Sequence, residues 1–150
     1  MFWKKRSVWI EIGFGEALDR LSILSIKCEK FDGAKKVIVD QERKKLERRL
    51  KAARIIIPSY GEGLVFTSIP SCEFYQKLCG VNQRLWEVEN EIRQICECVN
   101  CSEEELAHCR TLTKSVYVLN DIRSELKKQI DNFLGSSIME IKDYRGKQND

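Results

Sequence analysis

Four carboxylates form two pairs with i,i+4 spacing: Glu87 with Glu91, and Asp121 with Glu125. Opposed across two helices, such pairs would hold Mg²⁺ for phosphoryl chemistry, because a hard cation takes carboxylate oxygens. Cys96, Cys98 and Cys101, followed by His108 and Cys109, are a second group. Thiolate and imidazole are zinc ligands, but the run is CxCxxC rather than a pair of CxxC knuckles. His108 and Cys109 fall two turns into the next helix and face different ways, so the cysteines read as free thiols. His108 is the only histidine, and it reads as a surface residue with no clear partner. A third group surrounds Arg123, an arginine where the helical pattern calls for leucine. A cation there needs a partner, because desolvating it alone is costly.

The elements that position these groups follow from the apolar spacing. Phe74, Leu78, Val81, Leu85, Val88, Ile92, Ile95 and Val99 step by fours and threes, a heptad seam on a helix over 71–98. Leu112, Val116, Leu119, Leu126, Ile130 and Phe133 form the seam of a second helix over 102–134. Ser102 with Glu105 is a capping box at its start, and Gly135 is a stop signal. Each helix would be about 40–50 Å long, and the short link makes them an antiparallel hairpin.

Helix one is expected over 15–31. Ala17, Leu18, Leu21, Leu24, Cys28 and Phe31 make a broad stripe with Ile23 and Ile26 outside it, so more than one side should be covered. Asp32-Gly33 ends it. Helix two, over 34–54, carries Lys35, Lys36, Arg43, Lys44, Lys45, Arg48, Arg49, Lys51 and Arg54 against Asp40, Glu42 and Glu47. Such a face is a solvated surface or a contact to phosphate, acidic lipid or an acidic partner. Alternation over 7–12 and the β-branched runs of 55–68 around Gly61-Glu62-Gly63 allow a small β element. The fold class is therefore mainly α: a four-helix bundle built on the long hairpin, in one domain over 1–150, with 145–150 a frayed tail.

Placed at about 100° per residue, the polar side chains separate by face. Asn82, Glu89 and Arg93 share one border of the helix-three seam, with Trp86 just beyond. Glu87 and Asn90 point away. On helix four, Arg123 lies in the seam, Asn120 and Lys127 beside it, and Asp121 and Glu125 outward. The carboxylate pairs therefore sit on faces opposite their seams, which argues against a metal site. Glu89 is the acid best placed to meet Arg123, so a half-buried Glu89–Arg123 pair supported by Asn82 and Asn120 is expected. It would be a register lock or the wall of a pocket.

Three blocks, GEALDRLSILSIKCEKF (15–31), VNQRLWEVENEIR (81–93) and SVYVLNDIRSELKKQIDNFLGSSIMEIKDY (115–144), resemble a family of small uncharacterised helical bacterial proteins. Its pattern is roughly GELxDKxTILxIKxExI, VNxxLWxIExxIR and VYxxNDxRxxIKxxINxxxGSxxxExKxY. Members are often encoded with, or fused to, glycosyltransferase or tetratricopeptide-repeat proteins. The resemblance implies an all-helical fold and no particular reaction. Its matching polar positions are Glu16, Asp19, Lys27, Asn82, Trp86, Glu89, Arg93, Asn120, Asp121, Arg123, Lys127, Glu140, Lys142 and Tyr144. Helix two and residues 55–70 are least like the pattern.

Composition bounds the rest. At 150 residues, 43% hydrophobic and 33% charged, the chain can bury a core and is not a disordered one. A net charge of +3 makes nucleic acid an unlikely partner. No apolar run is long enough for a membrane span, and no secretory leader is evident, so seven cysteines read as reduced and cytoplasmic. The expected function is a non-enzymatic interaction or accessory module for surface-polysaccharide or glycosyltransferase machinery, as the resemblance implies, without metal or cofactor. It would meet a protein partner or a second copy, a homodimer. One alternative is a small-molecule or nucleotide-binding enzyme using Asn82, Trp86, Glu89, Arg93, Asn120, Asp121, Arg123 and Lys127 with Asp19 and Lys27. Another is binding of an anionic polymer or acidic partner through Arg43, Lys44, Arg48, Arg49 and Lys51.

Overall fold

The structure, a computed structural model, describes residues 10–53, 69–98 and 100–138. It is mainly α. In order come α1 (Phe14–Lys30), α2 (Gly33–Ala52), α3 (Ile69–Glu97) and α4 (Glu103–Leu134). Each end lies within two residues of the expected one. Among the described residues there is no strand. Residues 10–12 were expected in the β element, but a strand exists only beside a hydrogen-bonded neighbour, and Ile10 and Ile12 are exposed. Residues 7–9, 55–68 and the tail 145–150 lie outside the described residues.

The α3–α4 hairpin is as the heptads require. Leu78, Leu85 and Val88 of α3 and Leu112, Leu126 and Ile130 of α4 are buried. Phe133 departs from the expected seam. It is 44% exposed and meets Phe74 edge-on with ring centroids 6.3 Å apart, while Ile130 and Asp131 take the inner face of that turn. The capping box closes as predicted: the Ser102 hydroxyl accepts the Glu105 N–H at 3.2 Å, and the Glu105 carboxylate accepts the Ser102 N–H at 2.8 Å. The Cys101 thiol donates to the Ile95 carbonyl at 3.0 Å, which also accepts the Cys98 N–H at 3.1 Å at the end of α3.

α1 is the central helix and packs on all three others. Ser22 and Leu24, two residues apart and so roughly 200° apart, are both buried. That explains why its apolar stripe is too wide for one neighbour. Its Leu18 and Leu21 join Leu50, Leu78, Leu126 and Ile130 in one core. α2 returns antiparallel to α1 through Phe31 and Asp32, with Gly33 at φ 57, a left-handed conformation that suits glycine. Only Val39 and Leu50 of α2 are buried.

Candidate functional site

The polar residues gather between α1 and α4, with α3 contributing one side chain. Asp19 is at the centre and is 1% exposed. Arg123 grips it side-on, Nε donating to Oδ1 at 2.8 Å and Nη2 to Oδ2 at 2.5 Å. The Asn82 amide of α3 donates to Asp19 Oδ1 at 2.8 Å and to Ser22 Oγ at 2.5 Å, and Ser22 donates back to the Asp19 carbonyl at 2.7 Å. One buried carboxylate thus ties three helices together. Asn120 supports it from the rim, its Oδ1 lying 3.5 Å from Arg123 Nη1 and its amide donating to the Val116 carbonyl at 3.0 Å.

Two more contacts continue along α4 at successive turns. Lys127, buried, meets Glu16 at 2.7 Å. Asp131, 2% exposed, accepts the Gly15 N–H at 2.8 Å, and the Ser136 hydroxyl donates to it at 2.6 Å. Ser136 in turn accepts the Phe14 N–H at 3.0 Å. The α1 N-cap, Gly13, has no side chain to satisfy these N–H groups. Asp131 and Ser136 cap the helix from across the fold and place a negative charge on its positive end.

This ladder fixes register. Slide α1 one turn along α4 in one direction and Glu16 meets Asp131. Slide it the other way and the α1 N-terminus meets Lys127. Both slips bring like charges together at one rung, and both pull the buried Asp19 out of its Arg123 fork, although the first would set it near Lys127. Close approach is equally specific. A Cβ on Gly15 would lie 2.3 Å from the Lys127 carbonyl oxygen, and one on Gly13 would lie 2.6 Å from Asp131 Oδ1. Glycine is needed here for space.

The expected Glu89–Arg123 pair does not form. Glu89 is exposed and pairs with Arg93 of its own helix at 3.6 Å, and Arg93 also donates to Asn90 at 3.3 Å. The expectation treated α3 as the only neighbour of the α4 seam, whereas α1 lies against both helices and supplies the acid. Of the predicted residues, Asp19, Asn82, Asn120, Arg123 and Lys127 converge, while Glu89 and Arg93 do not. Trp86 faces α1 but belongs to its far end, packing on Phe31 at 6.1 Å between centroids. Lys27 and Asp121 are half-buried, so the outward placing of Asp121 is corrected. Glu16, Ser22, Gly15, Asp131 and Ser136 complete the site. The i, i+4, i+8 spacing of Arg123, Lys127 and Asp131 was the available signal for the ladder.

The carboxylate pairs disperse. Glu87 is exposed, and Gln83 and Arg84 hold its carboxyl below the ordinary range. Glu91 bonds His108 at 2.7 Å, so the histidine read as partnerless links α3 to α4. Glu125 bonds Gln129 at 3.3 Å. Near Asn82, burial pushes the Cys79 thiol and the Tyr75 phenol above their usual ranges, which keeps both protonated and poor nucleophiles. On α2, Arg43 is taken by Asp40 at 2.8 Å and Glu47 at 2.6 Å, and Lys44 by Asp40 at 2.7 Å. Lys44 and Arg43 hold the Asp40 carboxyl below its ordinary range. Lys44, Arg48, Arg49 and Lys51 remain exposed. A shallow depression lined by Glu11, Gly13, Glu16, Lys127 and Asp131 borders the ladder, but Asp19, Asn82 and Arg123 do not line it.

No protein-family model, curated protein or solved structure matches this chain.

Proposed function

We propose that this chain is a non-catalytic helical interaction module that serves glycosyltransferase machinery of surface-polysaccharide assembly in the cytoplasm. The observation that supports a non-catalytic reading is the closed state of its strongest polar cluster. Asp19 is 1% exposed, and side-chain N–H groups of Arg123 and Asn82 already occupy its carboxylate. A catalytic carboxylate must reach a substrate proton or atom within hydrogen-bond distance. This one faces only its own helices, as a register-setting residue does. No helix among the described residues is long and apolar enough to cross a membrane.

A partner has a surface to use. Tyr117, Val118 and Ile122 on the outer side of α4 are 68%, 58% and 44% exposed. Aromatic and aliphatic groups of this kind form the dry centre of protein contacts. The glycosyltransferase assignment rests on the sequence resemblance. Co-expression with a glycosyltransferase of surface-polysaccharide assembly tests it, with co-elution on size exclusion as the readout. The complex should form with the native chain and be lost with Tyr117→Ser/Val118→Ser. A nucleotide or nucleotide sugar that binds by calorimetry, and no longer binds after Asn82→Ala, would instead mean that the cluster is a ligand site.

A further inference from the structure

We infer that the outer face of α2 docks on an anionic lipid surface. The inference goes beyond the proposed module function and does not depend on it. α2 packs its backbone against α1 alone among the described elements, which leaves most of its circumference free. Its acids are committed to nearby cations. Asp40 and Glu47 hold Arg43, Asp40 also holds Lys44, and Glu42 pairs with Arg20 of α1. The three acids of α2 are half-buried beside their partners, whereas Lys35, Lys36, Lys45, Arg48 and Lys51 are exposed. With eight cations against three ion-paired carboxylates, α2 is strongly positive although the chain as a whole carries only +3.

Charge alone fits any polyanion. The aliphatic pair beside it selects lipid. Val37 is 57% and Ile38 65% exposed, directly after Lys35 and Lys36. Helical spacing places Val37, Gln41 and Arg48 in one row, with Ile38 and Lys45 alongside, on the side opposite Val39, Leu46 and Leu50. Aliphatic groups interleaved with lysines suit the boundary between headgroups and acyl chains, where the cations meet phosphate and the side chains leave water. A nucleic acid or other soluble polyanion would use the cations and leave Val37 and Ile38 idle. Val39, Leu50 and the Arg20–Glu42 pair hold α2 on α1, so docking requires no unfolding.

Co-sedimentation of the full chain with vesicles tests this. Vesicles of phosphatidylcholine alone are compared with vesicles containing about one third phosphatidylglycerol, with heparin as a soluble polyanion. Binding to the anionic vesicles alone, falling as salt rises, is expected. Lys45→Gln/Arg48→Gln/Lys51→Gln should weaken it by on the order of 100-fold, at about fivefold per cation. Val37→Ser/Ile38→Ser should weaken vesicle binding while leaving heparin binding unchanged. All five positions are exposed, so circular dichroism should show native helix content in both variants. Equal sedimentation with both vesicle types, or unchanged vesicle binding by the triple variant, overturns the inference. Intact vesicle binding by Val37→Ser/Ile38→Ser also overturns it and assigns the face to soluble polyanions.

Discussion

Replacing Arg123 by methionine removes the cation from the Asp19 carboxylate while keeping most of the side-chain volume. Asp19 has a side chain 2% exposed and loses both hydrogen bonds of the guanidinium fork, at 2.8 Å and 2.5 Å. Only the Asn82 donor remains on it. Breaking one half of a buried ion pair costs about 3–5 kcal/mol. Arg123 is 27% exposed, so water can enter the vacated side, and the low end, about 3 kcal/mol, is expected. Asp19→Leu with Arg123→Met removes both charges. Asn82 still donates to Ser22, so the double variant should lose only about 1 kcal/mol, one hydrogen bond. Urea unfolding followed by helical circular dichroism measures both, with equal m-values as the two-state check. The double variant should be far less damaged than the sum of the two single ones. Simple additivity, or a loss below about 1 kcal/mol for Arg123→Met, would refute the lock. Glu89→Leu, at an exposed residue paired only within its own helix, should change stability by no more than about 0.5 kcal/mol.

Gly15→Ala gains up to about 1 kcal/mol of helix propensity but drives a Cβ into backbone atoms of Lys127 that cannot turn aside. Overpacking costs about 1–3 kcal/mol, so a net lowering of the melting temperature is expected; a rise would mean that α1 sits farther from α4. Ser102 donors hold the Glu105 carboxyl below its ordinary 4.5, so the unfolded chain takes up a proton there first. The capping contribution is therefore complete above that value and fades as pH falls through the lower folded one. Glu105→Gln should flatten the fall of stability across this acidic window, and identical acid profiles would remove the charged cap from the account. In the folded protein Cys98, exposed at the α3–α4 turn, should be alkylated before Cys79, whose thiol is half-buried and raised by burial; peptide mapping by mass spectrometry gives the order.

The sequence by itself determined the four helices, their near-exact ends, the capping box and the α3–α4 seam. These depend on local spacing: heptad steps, a Ser–Glu pair three apart and a glycine stop. It also marked Arg123 as a cation needing a partner and, through the family pattern, Asp19 and Asn82 as residues to watch. The partner itself was not legible. Glu89 was nearest in a two-helix reasoning, but Asp19 lies 104 positions from Arg123, and the choice between them is made by where α1 packs. Likewise, nothing local in GFG explains glycine at 13 and 15, where Asp131 and the Lys127 backbone of α4 come too close for a Cβ. Asp131 reads as one more acid on α4 until the α1 N-terminus is set against it. Helical periodicity reports which face of a helix is inward. Which helix that face meets, and at what register, depends on packing between segments distant in the chain, so tertiary structure alone decided it.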